Sequence, residues 1–133
     1  MLKVRTFLAR SEIHGFGLFA AEPIAAGTVI WTYDPTFDVA FDKEDFAKLP
    51  APPREQIKKY YYFDRALSAY VLCGDDNRFI NHSGTPNTRE DDVVGTLALR
   101  LIERGEEITC DYGDLGIARP TEPHKVKIKT CLE

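Results

Sequence analysis

Apolar and polar positions alternate along this chain in short stretches that Gly and Pro interrupt at close spacing. That pattern predicts several short strands and few helices. Residues 3–9 set Val4, Thr6 and Leu8 against Lys3, Arg5 and Phe7, the period of two expected of a half-buried strand. Residues 18–21 follow the Gly15-Phe16-Gly17 turn as a second strand. Residues 29–33 (V-I-W-T-Y) are β-branched and aromatic and make the clearest strand. Residues 67–72, 93–102 and 107–112 complete the expected set. Between them the period changes. Residues 42–49 read as a short helix with Asp42 as N-cap, broken at Pro50-Ala51-Pro52-Pro53. Residues 54–63 read either as a second short helix or as an irregular aromatic segment, and residues 125–129 as an edge strand or a loose end.

One echo runs through the pattern. Residues 24–30 and 102–108 both read I-x-x-G-x-x-I, with Gly27 and Gly105 where the backbone is expected to turn with positive φ before a strand. Two similar turns explain the pair, and it assigns no chemistry.

Composition narrows the class. The chain has 133 residues, 44% apolar and 29% charged, which suits one globular domain. No stretch approaches the roughly 20 apolar residues of a membrane span, and the first residues lack the features of a secretory signal. The net charge of −4 speaks against a general nucleic-acid binder. Cys73, Cys110 and Cys131 lie far apart and form no Cys-x-x-Cys pair, which favours a reducing compartment over a disulfide framework or a zinc site.

Three segments concentrate chemistry-bearing residues. Gly15-Phe16-Gly17 is too short for a dinucleotide fingerprint, although its glycines allow close approach of backbone to a ligand. Residues 78–87 (R-F-I-N-H-S-G-T-P-N) pin Phe79 and Ile80 to a core and follow them with Asn81, His82, Ser83 and Asn87. Ser83 beside His82 lacks the elbow motif of a hydrolase. Residues 107–113 end a strand in Asp111-Tyr112-Gly113, which can turn a phenol into a cleft.

In this order the segments resemble the SET domain, the fold of most protein-lysine methyltransferases. The resemblance rests on H-G-F-G-L-F-A at 14–20 with Ile24-x-x-Gly27 after it, on residues 78–87, and on G-E-E-I-T-C-D-Y-G at 105–113. The run Y-Y-Y-F-D at 60–64 adds the family's Y-x-F-D segment, with Tyr61 in the Tyr position. The resemblance implies a mainly β, β-clip-like fold of several small sheets, with short helices in an insertion and a C-terminal pseudo-knot. It implies a SET domain over residues 1–113, a variable insertion at about 34–72, and a tail at 114–133 without the zinc-bound module. It implies S-adenosyl-L-methionine as cofactor and a lysine-bearing protein or peptide, a histone or another basic protein, as substrate.

In this resemblance His14, Gly15, Phe16 and Gly17 hold the methionine end of the cofactor. Tyr61 and Arg78 lie beside it, and Asn81 and His82 bind its amino group and adenine. Tyr112 is the catalytic tyrosine, and Cys110, Tyr62 and Phe63 line the substrate channel. Cys110 stands where relatives commonly have Phe or Tyr, and the smaller side chain leaves room for higher methylation states. The tail from Asp114 has no Phe, Tyr or Trp to cover the adenine. Leu115, Ile117, His124 or a second subunit of a homodimer are the alternatives. No metal, membrane or direct nucleic-acid partner is expected. The location expected is cytoplasmic, or nuclear and chromatin-associated in a eukaryote. A non-catalytic domain that binds cofactor or peptide is the other reading. Asp34, Asp38, Asp42, Glu44 and Asp45 give the insertion a negative bias that either steers a basic substrate or is simply a solvated face.

Overall fold

Three small sheets divide the chain in the computed structural model, which describes residues 1–114. Strands β1 (Thr6–Arg10) and β2 (Phe16–Ala20) form a hairpin. Its loop closes where the Ser11 N–H donates to the Gly15 carbonyl at 2.8 Å. Strand β10 (Glu107–Cys110) lies antiparallel to β2, and β7 (Asn81–His82) lies parallel to β10 on its other side. A second sheet joins β3 (Val29–Trp31), β9 (Gly95–Ala98) and β8 (Thr88–Asp91). The mainly β architecture of several small sheets is the one expected.

The segment between the first two sheets builds its own layer. Strand β4 (Val39–Phe41) pairs with β6 (Ala69–Leu72), which pairs with β5 (Tyr62–Asp64). Helices α1 (Lys43–Lys48) and α2 (Ala51–Ile57) connect β4 to β5. Asp42 caps α1 as expected, its side chain accepting from the Asp45 N–H at 2.8 Å. The proline cluster does more than end α1. Pro52 and Pro53 sit in the first turn of α2, where a missing N–H costs nothing. Residues 54–63 therefore resolve into the end of a helix, a turn and the start of β5.

The I-x-x-G echo proves to be a pairing. Ile24 and Ile102 exchange both backbone hydrogen bonds, at 2.8 and 2.9 Å, while Gly27 and Gly105 turn with φ of 80° and 81°. Both isoleucines are buried with Leu18, Ala20, Ile30, Ile80, Ala98, Ile108 and Cys110 in the main core. Each isoleucine or leucine among them contributes about 1.5–3 kcal/mol on burial. A smaller cluster of Trp31, Tyr62, Val71 and Cys73 joins the inserted layer to it. The strand expected over 93–102 is shorter: it begins at Gly95, and Val93 is 88% exposed in the turn before it.

Candidate active site

Glu107, the second acid of the G-E-E motif, holds the N-terminal loop against the Asn-His strand. It sits on β10 with Oε1 accepting from Asn81 Nδ2 at 2.7 Å and Oε2 from Ser11 Oγ at 2.8 Å. Asn81 is 1% exposed and donates from the same amide nitrogen to the carbonyls of His14, at 3.0 Å, and Phe16, at 3.2 Å. Ser11 Oγ in turn accepts from the N–H groups of Ile13 and His14. The loop carrying His14, Gly15, Phe16 and Gly17 is thus fixed by two side chains from distant strands. A Cβ on Gly17 would lie 2.2 Å from Glu107 Oε1, so this position needs the space of glycine. Sequence reasoning passed over both Ser11 and Glu107, since a G-E-E motif reads first as a turn.

The parallel pair of β7 and β10 brings the other two motifs together. His82 Nδ1 accepts from the Tyr112 N–H at 3.0 Å, and the two rings lie 5.3 Å apart. Asp111 Oδ1 also approaches His82 Nδ1, at 3.7 Å. The Tyr112 hydroxyl donates to the Ile80 carbonyl at 2.9 Å. Burial, helped by Cys110, pushes the Tyr112 phenol well above its ordinary value, so it stays neutral. Asn87, 2% exposed, ties the end of the block to β10: its amide donates to the Glu107 carbonyl at 2.8 Å and its oxygen accepts from the Thr109 N–H at 2.8 Å.

Tyr112 and Cys110 line a chamber with Tyr60, Tyr61, Tyr62, Arg78, Ile80, Glu90 and Thr96. Its cavity volume is about 30 Å³. Arg78 lays its guanidinium over the rings of Tyr60 and Phe79, at 5.6 and 5.4 Å, and its buried Nε has no partner among the described residues. Tyr62 meets the Trp31 ring edge-on at 6.0 Å, and burial raises its phenol far above the ordinary range. Tyr61 packs among Phe41, Phe46 and Tyr70 while reaching the chamber wall.

Phe63 does not join this lining. It meets Tyr70 edge-on at 5.4 Å and borders an adjoining groove instead. That groove shares Trp31, Tyr62 and Glu90 with the chamber. Asp64, Asp91, Asp92 and Asp114 also line it, against the single cation Arg65. Four of the five acidic residues singled out earlier in the insertion have local partners. Asp42 caps α1, Asp45 pairs with Lys48, and Asp34 accepts from Thr36. Asp38, 3% exposed, accepts from the Asp34 and Gly74 N–H groups and pairs with the Met1 amino group. The negative face sits on β5, β8 and the turn after β10. Leu115, Ile117, His124 and Cys131 lie outside the described residues. Among the described residues no cluster of three metal-binding side chains occurs and no helix is long and apolar enough to cross a membrane.

The donor set fits the cofactor expected from sequence. The chamber offers a guanidinium N–H without a partner among the described residues for a carboxylate, and carbonyl and phenol oxygens with aromatic faces for a sulfonium cation.

The SET domain family profile matches residues 15–113. The trithorax histone-lysine N-methyltransferase of Drosophila virilis is 33% identical over 122 residues, covering 77% of this chain and 3% of its own length. A histone-lysine N-methyltransferase of Yarrowia lipolytica, H3 lysine-36 specific, is 34% identical over 113 residues, covering 77% of this chain and 14% of its own. This chain therefore spans a small part of such relatives. Among solved structures, a humanized mutant of the Chaetomium thermophilum Polycomb Repressive Complex 2 bound to an inhibitor has a TM-score of 0.64 at 22% identity. The match covers 84% of this chain and 15% of that one, and it bears on the fold.

Proposed function

The chain belongs to the SET domain family, and we propose that it transfers methyl groups from S-adenosyl-L-methionine to a lysine side chain of a protein. One observation carries the reading: three motifs far apart in sequence converge, with Asn81 bonded to the glycine loop, His82 bonded to the Tyr112 backbone, and the buried Tyr112 phenol facing an aromatic wall across one chamber.

When bound, S-adenosyl-L-methionine supplies an activated methyl group on a cationic sulfur. The protein's task is then alignment and charge. His14, Gly15, Phe16 and Gly17 would receive the methionine end, with Arg78 and Tyr61 beside it. Asn81 and His82 would act there by holding the loop and the Tyr112 backbone. Alignment of donor and acceptor in a closed chamber can supply up to about 7–11 kcal/mol of the barrier. The Tyr112 oxygen and the Ile80 carbonyl place partial negative charge where a methyl cation would pass. A free lysine has a pKa of about 10.4, so presenting it neutral near pH 7 costs roughly 4–5 kcal/mol. A desolvated chamber beside a cation lowers that cost.

The acidic groove suits a basic segment as the carrier of the lysine. Cys110 leaves room beside Tyr112 for more than one methyl group. Histone substrates and a chromatin-associated location belong to this proposal, supported by what the similar proteins are named for.

Mass spectrometry tests it. The protein is incubated with S-adenosyl-L-methionine and a panel of lysine-rich proteins, histones included. Additions of 14 Da (the mass of CH2) on lysine that vanish with Tyr112→Phe are the expected result. Tight cofactor binding with no transfer to any substrate would favour a non-catalytic domain.

A further inference from the structure

The reading above leaves the lysine proton without a receiver. Tyr112 and Tyr62 are held protonated, so neither takes a proton. We propose that Glu90 binds the substrate ammonium group where groove and chamber meet, and accepts its proton before methyl transfer. The proposal rests on the lysine methyltransferase reading and adds a catalytic residue to it.

Position is the first argument. Glu90, Trp31 and Tyr62 are the residues that line both the chamber of Tyr112 and the acidic groove. Trp31 and Tyr62 form the apolar part of that shared wall, and Glu90 is its one carboxylate. A lysine reaching Tyr112 from the groove passes between them. A polar strand puts Glu90 there: β8 reads T-R-E-D, with Thr88 turned inward to bond the Thr109 carbonyl and Glu90 two residues on toward the same side.

Its bonding state is the second. Oε1 accepts from Thr96 Oγ1 at 2.6 Å, and among the described residues no basic group pairs with the carboxylate. Burial, opposed by the Thr96 bond and helped by Asp64, Asp114 and Asp91, pushes its pKa up to about 7. The charged groups around it are Asp64 from β5, Asp91 and Asp92 from the β8 end, and Asp114 beyond β10. Tyr62 faces it from β5, Cys110 and Tyr112 line the same chamber from β10 and beyond, and Lys59 and Arg78 are the chamber's cations. An entering ammonium group supplies the counter-charge that the carboxylate lacks.

The step balances. One N–H bond of the ammonium breaks and one O–H bond forms on Glu90. An ion pair thereby becomes two neutral groups, which burial favours. The freed amine lone pair forms the C–N bond as the C–S bond breaks, and the product is a methylammonium ion and a thioether. Glu90 then returns its proton to water through the groove, or takes the next one from the methylammonium for a second cycle.

Two measurements on the full chain test the proposal. The first follows the Glu90 carboxyl carbon by NMR in glutamate-labelled protein, with the signal identified by its loss in Glu90→Gln. Its midpoint, near 7, is expected to fall by about one unit or more when n-butylammonium is added. An unmoved midpoint overturns the proposal whether or not the protein methylates anything. The second measures kcat/KM against pH with a lysine peptide from the screen above. Wild type is expected to level off above pH about 7, whereas Glu90→Gln climbs unbroken toward the lysine's own value near 10.4 and is down on the order of 10²-fold near neutrality. Superimposable profiles overturn the assignment. A midpoint that responds to n-butylammonium in a protein that methylates no lysine leaves the ammonium site standing and removes the methyltransferase reading.

Discussion

Gly17→Ala gives the sharpest test of how the N-terminal loop is held. Gly17 has no positive φ to require glycine, so any penalty comes from space. Its added Cβ would lie 2.2 Å from Glu107 Oε1, 2.7 Å from Glu107 Cδ and 3.1 Å from Ser11 Cβ. The carboxylate must retreat by about 1 Å or more to reach ordinary contact distance. Retreat breaks its bonds to Asn81 Nδ2 and Ser11 Oγ. A hydrogen bond to a charged group is worth about 1.5–3 kcal/mol, and water recovers part of the two lost. Replacing a strand glycine by alanine returns about 0.5–1 kcal/mol. The expected net loss is therefore about 1.5–3 kcal/mol, read from urea unfolding as a fall in midpoint at constant slope. A double-mutant cycle isolates the cause. In a Glu107→Ala background the obstruction is gone, and Gly17→Ala should cost nothing or stabilise slightly, a coupling of about 2 kcal/mol. An equal cost in both backgrounds would refute the reasoning. Calorimetry should show weaker S-adenosyl-L-methionine binding by the single variant.

Four further outcomes are expected. Tyr112→Phe should reduce methyl transfer on the order of 10²-fold or more by mass spectrometry, while the lost bond to Ile80 lowers unfolding free energy by only about 1–2 kcal/mol. Cys110→Phe should restrict the product to monomethyl-lysine and cost about 1–3 kcal/mol through crowding of a side chain 1% exposed; unchanged product states would refute the room-for-methyls argument. Glu90 should make stability fall with rising pH: the fold keeps its proton to about pH 7 and the unfolded chain only to about 4.5, so the contribution is complete below 4.5 and gone above 7. Thermal melts of Glu90→Gln at pH 5 and 8 should lose that difference, worth at most about 3 kcal/mol. The Cys73 thiol, pushed up to about 12 by burial, should resist alkylation in the folded protein and react on unfolding, as peptide mass mapping would show.

Much of this architecture is legible where local chemistry and tertiary role agree. Asp42 caps a helix because its side chain can do nothing else so cheaply, and the isoleucines of the echo are apolar because they meet. Strand β8 was missed for the opposite reason. T-R-E-D has no apolar alternation, since Thr88 and Glu90 face inward to polar partners supplied by β9 and β10. The insertion's acids left two readings open, a steering face or a solvated one. Which carboxylates remain available to a partner depends on which are taken up by caps and turns, and that is a property of the folded chain. Of the site, the phenol, the Asn-His pair and the glycine loop could be read from their motifs. Glu107 and Ser11, which lock them together, could not, because their pairing spans 96 positions.

The place of β10 has a consequence for biosynthesis. Strands β2 and β7 have no contact ladder with each other and share β10 as their common partner. A nascent chain on the ribosome can close the first hairpin and the inserted layer early, but β2 and β7 are not bridged into one sheet until residues 107–110 have cleared the exit tunnel. Such long-range closure is slow. Truncated translation products lacking this stretch should therefore be bound by chaperones and inert, with no half-active species released on the way.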